Sequence, residues 1–73
     1  MAKKSEIIFV VEDDPEGGLT AHALGESIFT EADSLQELKD AIRDALRVHY
    51  DDEADIPPVI RLHQVRDEVV PYA

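Results

Sequence analysis

The chain has 73 residues, no cysteine and a formal net charge of −10, with 17 acidic against 7 basic side chains. This length corresponds to one domain, and the lack of cysteine excludes disulfides, zinc–thiolate sites and thiol catalysis. The acidity disfavours binding to nucleic acid or to anionic membranes and suits a basic partner protein, although it is also explained by solubility alone. The longest apolar run, residues 7–11, is too short for an export signal or a membrane span, which predicts a cytoplasmic protein.

Three short apolar segments at the start of the chain predict β-strands joined by tight turns. Residues 6–12 (EIIFVVE) are rich in β-branched and aromatic side chains, as strands are. Residues 19–24 (LTAHAL) and 27–32 (SIFTEA) follow after turns that contain glycine. Two such turns predict an antiparallel meander of three strands.

Residues 34–50 (SLQELKDAIRDALRVHY) predict one amphipathic helix. Ser34 followed by Glu37 forms a capping box, and neither glycine nor proline interrupts the run. Apolar side chains recur at steps of three and four on a stripe that we expect to pack against the sheet: Leu35, Leu38, Ile42, Leu46 and His49.

The first strand is apolar on both faces, which indicates an interior strand of the sheet. Ile7, Phe9 and Val11 share one face, and Ile8 and Val10 share the other. One helix covers one face of a sheet, so the face with Ile8 and Val10 needs another cover. We expect a second copy of the chain to supply it, in a dimer or a tetramer.

The end of the chain predicts a linker and a fourth strand. Residues 51–58 (DDEADIPP) cannot continue the helix because of their two prolines, and we predict a disordered acidic linker there. Residues 59–65 (VIRLHQV) predict a strand whose alternation slips at Gln64, which indicates a bulge. Residues 67–73 are either an extension of this strand or a tail.

The order of elements, β-β-β-α-β, predicts an α+β fold in a single domain over residues 1–73. A helical crossover brings the fourth strand in parallel to an earlier one. Placing it beside the first strand gives the sheet order 3-2-1-4 and makes the first strand interior. We expect flexible ends at residues 1–5 and 71–73.

No catalytic, cofactor or metal site is predicted, and an enzyme is not expected. The histidines His22, His49 and His63 lie on different elements without the paired spacing of metal ligands. Residues 51–55 imitate the start of a calcium loop but lack its glycine. Four carboxylates crowd a single turn, where we expect them to be solvated: Glu12, Asp13, Asp14 and Glu16.

The ordered set of these features resembles the HicB-like family of antitoxin-type domains. The matching features are the acidic turn with Gly17-Gly18, a short strand ending near Leu24-Gly25, the Asp33-Ser34 cap and a helix of the pattern S-x-x-E-L-x-x-x-I-x-x-A. They fall within about residues 6–66. The resemblance implies a truncated ribonuclease-H-like fold without a working nuclease centre.

The resemblance also implies a partner, HicA, which is a small basic RNA-cleaving toxin that HicB proteins bind and neutralise. Acidic side chains of the helix and of the segment after it are candidates for that contact: Glu37, Asp40, Asp44, Asp51, Asp52, Glu53 and Asp55. Many HicB proteins also carry a DNA-binding segment, which residues 1–73 lack, so nucleic-acid binding is not expected. The alternative is an orphan self-associating or ligand-binding domain with no toxin partner.

Overall fold

The computed structural model describes residues 5–73, so the predicted flexibility of residues 1–4 lies outside the described part. Most elements lie within one or two residues of their predicted bounds. In chain order they are β1 (Glu6–Asp13), β2 (Leu19–Ala23), β3 (Phe29–Ala32), α1 (Leu35–His49), a one-turn 3-10 helix (Glu53–Asp55) and β4 (Val59–Val65).

The four strands form one mixed sheet in the order β3-β2-β1-β4. β1 pairs antiparallel with β2 and parallel with β4, which confirms the α+β fold, the sheet order and the interior position of β1. The β1–β4 register runs unbroken from Glu6–Val59 to Glu12–Val65, so the predicted bulge at Gln64 is wrong. The alternation slips there because the last residues of β4 are exposed on both faces of an edge strand.

The turn between β1 and β2 depends on a close approach of backbone to backbone. The Asp14 amide donates to the Gly18 carbonyl at 3.0 Å, and the Asp14 side chain accepts from the Glu16 amide at 2.9 Å. Gly18 has φ of 82°, and a Cβ there would lie 2.7 Å from the carbonyl oxygen of Ala32. Any other residue at this position would therefore push β3 away from the turn.

Helix α1 begins after Ser34, whose hydroxyl accepts from the Glu37 amide at 3.2 Å. Leu38, Ile42 and Leu46 are buried against the sheet, as the stripe predicts. His49 was wrongly assigned to that stripe, because it is exposed and its ring contacts Glu26 of the β2–β3 connection instead. His49 is the last residue of α1, and the helix has passed the edge of the sheet at this position.

The core fills the space between α1 and one face of the sheet. Small residues at Ala21 and Ala23 of β2 let the helix approach closely, and α1 contacts β3 and β2 more than it contacts β4. Among residues 5–73, no polar or charged residue is buried. The buried hydrophobic residues of the core are Ile7, Phe9, Val11, Ala21, Ala23, Ile28, Leu38, Ile42 and Leu46.

The segment between α1 and β4 is ordered, so the prediction of a disordered linker is wrong. The Asp52 carboxylate accepts from the Ala54 amide at 2.9 Å and starts the 3-10 turn. Ile56 is half-buried beside the core and Pro57 is buried. The segment loses conformational entropy when it becomes ordered. The side-chain cap at its start and the apolar packing at its end compensate for that loss.

Candidate interaction surfaces

The face of the sheet opposite α1, called the open face here, carries an apolar patch and has no cover among residues 5–73. Ile8 and Val10, which were predicted to lie on it, are half-exposed at its centre. Apolar side chains that are more exposed surround them on the neighbouring strands and turns. Their exposed fractions are 64% for Phe29, 50% for Leu24, 48% for Val59 and 39% for Val65. Contiguous apolar surface of this kind is typical of protein–protein contacts.

The polar groups of the open face lie beside this apolar centre. Val10 is paired with His22 on one side and His63 on the other, which places their Cα atoms about 10 Å apart at ordinary strand spacing. Arg61 donates to the Glu6 carboxylate from Nε at 3.1 Å and Nη2 at 2.9 Å. Glu12 and Glu31 lie on the same face in the next row toward the first turn, so the carboxylates of the open face are at its ends and the side chains of Ile8 and Val10 lie between them.

The acidic residues predicted on the helix are partly engaged within the helix itself. Asp44 accepts from Arg47 at 2.7 Å, and Asp40 accepts from Arg43 at 3.2 Å. In the next segment Asp52 caps the 3-10 turn, while the predicted partner-binding residues Asp51, Glu53 and Asp55 are exposed. All seven predicted residues thus lie at the surface, but they do not converge on one site.

A second acidic surface was missed by the sequence analysis. A cleft of about 500 Å³ lies where the β1–β2 turn, β3 and the start of α1 meet. One of the predicted residues, Glu37, is in its wall. The other carboxylates of the wall were either assigned to a solvated turn or not singled out: Asp14, Glu16, Glu31 and Asp33. Their convergence depends on the pairing of β2 with β3, which brings residue 31 back beside the first turn.

The carboxylates of the two acidic surfaces are spread apart. Within residues 5–73, no three His, Asp or Glu side chains approach closely enough to hold a metal ion. Carboxylates spread over a wide cleft instead produce a negative potential that attracts cationic side chains. The arrangement is thus suited to recognising a basic protein surface.

Glu26 joins the β2–β3 connection to the end of α1. Its carboxylate lies 3.2 Å from His49 Nε2 and accepts a hydrogen bond from the Tyr50 hydroxyl. Partial burial, followed by the negative charges of Glu26 and Asp55, raises the pKa of Tyr50 above its ordinary value of 10.0. Each of these effects disfavours the phenolate.

We expect this raised pKa to make the domain lose stability in alkali. A neutral Tyr50 stabilises the fold below pH 10, and this contribution is lost as the pH rises through the higher pKa of the folded state. Tyr50→Phe should cost about 1 kcal/mol near neutral pH, as a lost hydrogen bond does. It should also flatten the decline in the free energy of unfolding above pH 10.

Urea titrations between pH 7 and pH 11 measure both effects. Tyr72→Phe is the matched control, because the Tyr72 ring is fully exposed in the C-terminal segment. This control should keep the alkaline slope of the parent. An unchanged slope in Tyr50→Phe would show that the Glu26–Tyr50 contact does not link stability to pH.

Comparison with known proteins finds two curated relatives of similar length. A protein of Archaeoglobus fulgidus named UPF0150 protein is 50% identical over 46 residues, which are 63% of this chain and 68% of that protein. A protein of Thermotoga maritima with the same name is 31% identical over 70 residues, which are 96% of this chain and 97% of that protein. No family model matches the chain. No solved structure matches it either.

Proposed function

The chain belongs to the UPF0150 family, and from this premise and the surfaces above we propose that it is a non-enzymatic, HicB-like protein-interaction domain. Its partner is a small basic protein, and the resemblance to HicB antitoxins points to a HicA-like RNA-cleaving toxin. The observation that carries the proposal is the acidic cleft, which is lined by five acidic residues from three parts of the chain. Lysine or arginine side chains of a partner would enter it.

Self-association through the open face completes this proposal. Two copies that each carry a charge of −10 repel one another, so they can associate only where acidic side chains are sparse. The centre of the open face at Ile8 and Val10 meets that condition, since Glu6 is paired with Arg61 and Glu12 and Glu31 lie toward the first turn. Pairing of two open faces would leave the acidic cleft, at the end of the sheet near the first turn, accessible to the basic partner.

Capture of the partner from native lysate tests the proposal. The full chain should retain a small basic protein at low salt and release it at high salt, because exposed ion pairs are screened within about 10 Å at 0.1 M salt. Glu31→Lys combined with Glu37→Lys should prevent capture. The captured protein, once purified, should cleave RNA, and addition of the parent chain should inhibit that cleavage.

A second double variant with the same change in net charge serves as control. Asp51→Lys combined with Glu53→Lys reverses two charges outside the cleft, and this variant should retain more of the partner. Equal loss in both variants would indicate a response to net charge rather than to the cleft. Capture of no basic protein would favour the orphan, self-associating domain.

A further inference from the structure

A groove runs between α1 and β4, on the side of the sheet that the helix covers. Because α1 lies mainly over β3 and β2, Ile60 and Leu62 of β4 are only half-covered. With Ile42 they form the apolar floor of a cavity of about 260 Å³, and Lys39 and Arg43 form its rim. A second depression of about 250 Å³ continues along β4 past Arg43 and Arg47, next to Leu46, Ile56 and Pro57.

Cationic residues outnumber acidic ones in the lining of this groove, where Glu53 is the one carboxylate beside Lys39, Arg43 and Arg47. Lys39, Arg43 and Arg47 are three of the seven lysine and arginine residues in a chain of net charge −10. The pairs that Arg43 and Arg47 form with Asp40 and Asp44 are exposed. Exposed ion pairs within one helix contribute little to stability, so these arginines can exchange their partners for an incoming carboxylate.

The groove is bordered by the outer edge of β4. Within residues 5–73, β4 is paired on one side only, and it contains seven residues without a proline or a bulge. The other edge strand, β3, has four residues and carries Glu31. A long unpaired edge beside an apolar groove is the arrangement that binds an additional extended strand.

The same chain carries an uncovered segment with the matching chemistry. Residues 66–73 follow β4 without regular structure, and Val69, Val70 and Tyr72 are exposed to 92%, 74% and 106%. Two carboxylates, Asp67 and Glu68, precede the valines. Eight extended residues reach about 26 Å, and the nearly complete exposure of Val69 and Tyr72 shows that this segment does not pack on its own domain.

We propose that residues 66–73 of one copy add as a strand to the β4 edge of a second copy and fill the α1–β4 groove. Because side chains alternate along a strand, Glu68 and Tyr72 would share the face of Val70. With that face turned to the groove, Val70 and Tyr72 would cover Ile60 and Leu62, and Glu68 would lie against the cationic rim. Pro71 lacks an amide donor, so the added strand would not offer a further pairing edge at that residue. This contact is separate from the open face and does not depend on the function proposed above.

The segment is poorly suited to cover the groove of its own chain. It leaves β4 in the direction of that strand, so it would have to reverse within residues 66–68 to pair with the same edge. That stretch is Arg-Asp-Glu and contains neither the glycine nor the asparagine that short hairpin turns favour. A second copy meets no such constraint.

Cross-linking between two single-cysteine chains tests the proposal, since the parent contains no cysteine. Chains carrying Val70→Cys are mixed with tagged chains carrying Arg43→Cys and treated with a short bismaleimide. We expect a cross-linked heterodimer, and we expect it also when both chains carry Val10→Asp, which removes pairing through the open face. Val48→Cys, on the outer side of α1 at 85% exposure, replaces Arg43→Cys as the control and should give little product.

A chain that carries both Val70→Cys and Arg43→Cys shows whether the groove binds residues 66–73 of a second copy or of the same chain. Cross-linking within one chain at high dilution, without heterodimers in the mixture, would assign the groove to the chain's own segment and overturn the proposal. Equal yields with Val48→Cys and Arg43→Cys would overturn it as well.

Sedimentation in the Val10→Asp background gives an independent measure. Val69→Asp combined with Val70→Asp should weaken the remaining self-association at least about 10-fold, which corresponds to the loss of the one valine side chain, Val70, that enters the groove. Both side chains are exposed in the single chain, so this variant should keep the thermal stability of its monomer. Unchanged association in this variant would overturn the proposal.

Discussion

Ile42→Asp is expected to abolish cooperative folding of the domain. Ile42 is 1% exposed and lies at the centre of α1, between Leu38 and Leu46 in the core. An unpaired carboxylate buried there costs about 4 kcal/mol or more. A domain of this length is stable by roughly 4 to 11 kcal/mol in total, with small domains near the lower end.

Circular dichroism and thermal melting measure this effect. Val48→Asp introduces the same charge six residues further along the helix, at a position exposed to 85%, and should melt close to the parent. Ile42→Val should still fold and lose about 1 kcal/mol, as the removal of one buried methylene does. A cooperative melt of Ile42→Asp at the temperature of the parent would contradict the assignment of the helix's buried side.

Val10→Asp is expected to separate the copies that associate through the open face. The change places a charge at the centre of the apolar patch, where a partner copy would bring an identical charge close to it. Removing one buried valine from each copy, with repulsion added, should raise the dissociation constant by at least about 100-fold. Because Val10 is half-exposed in the single chain, the fold should survive with a loss of about 1 kcal/mol.

Analytical ultracentrifugation over a range of concentrations checks this prediction. Val48→Asp again serves as the matched control, because it makes the same substitution on a surface outside the open face. Combining Val10→Asp with Val69→Asp and Val70→Asp removes both proposed contacts and should yield a monomer. A parent that is monomeric at high micromolar concentration would rule out both contacts.

The fold could be predicted from the sequence because its strongest patterns are local. The β-branched and aromatic run at residues 6–12 identifies a strand, and the helical stripe at Leu38, Ile42 and Leu46 identifies the helix and its buried side. The position of β4 beside β1 then follows from the apolar character of both faces of β1. The errors lie at the ends of patterns: His49 falls past the edge of the sheet, and Gln64 falls where an edge strand is solvated on both faces.

The surfaces could be predicted only where one element forms them. Ile8 and Val10 were identified because alternation along β1 places them together. The acidic cleft was missed because Asp14, Glu31 and Glu37 are far apart in the sequence and converge through strand register. The cationic side of α1 was also missed, because the lateral position of the helix over the sheet, which leaves β4 half-covered, is set by packing rather than by the sequence of the helix.

The parallel pairing of β1 with β4 also has a consequence for the order in which the chain can fold. This ladder joins residue 6 to residue 59 and residue 12 to residue 65, so it closes almost the whole length of the chain. Contacts between residues so distant in the sequence have the largest entropic cost of loop closure, and they therefore form slowly. During synthesis β1, β2 and β3 can pair early, whereas one edge of β1 stays unprotected until β4 has left the ribosome, and a nascent chain is most exposed to aggregation in that interval.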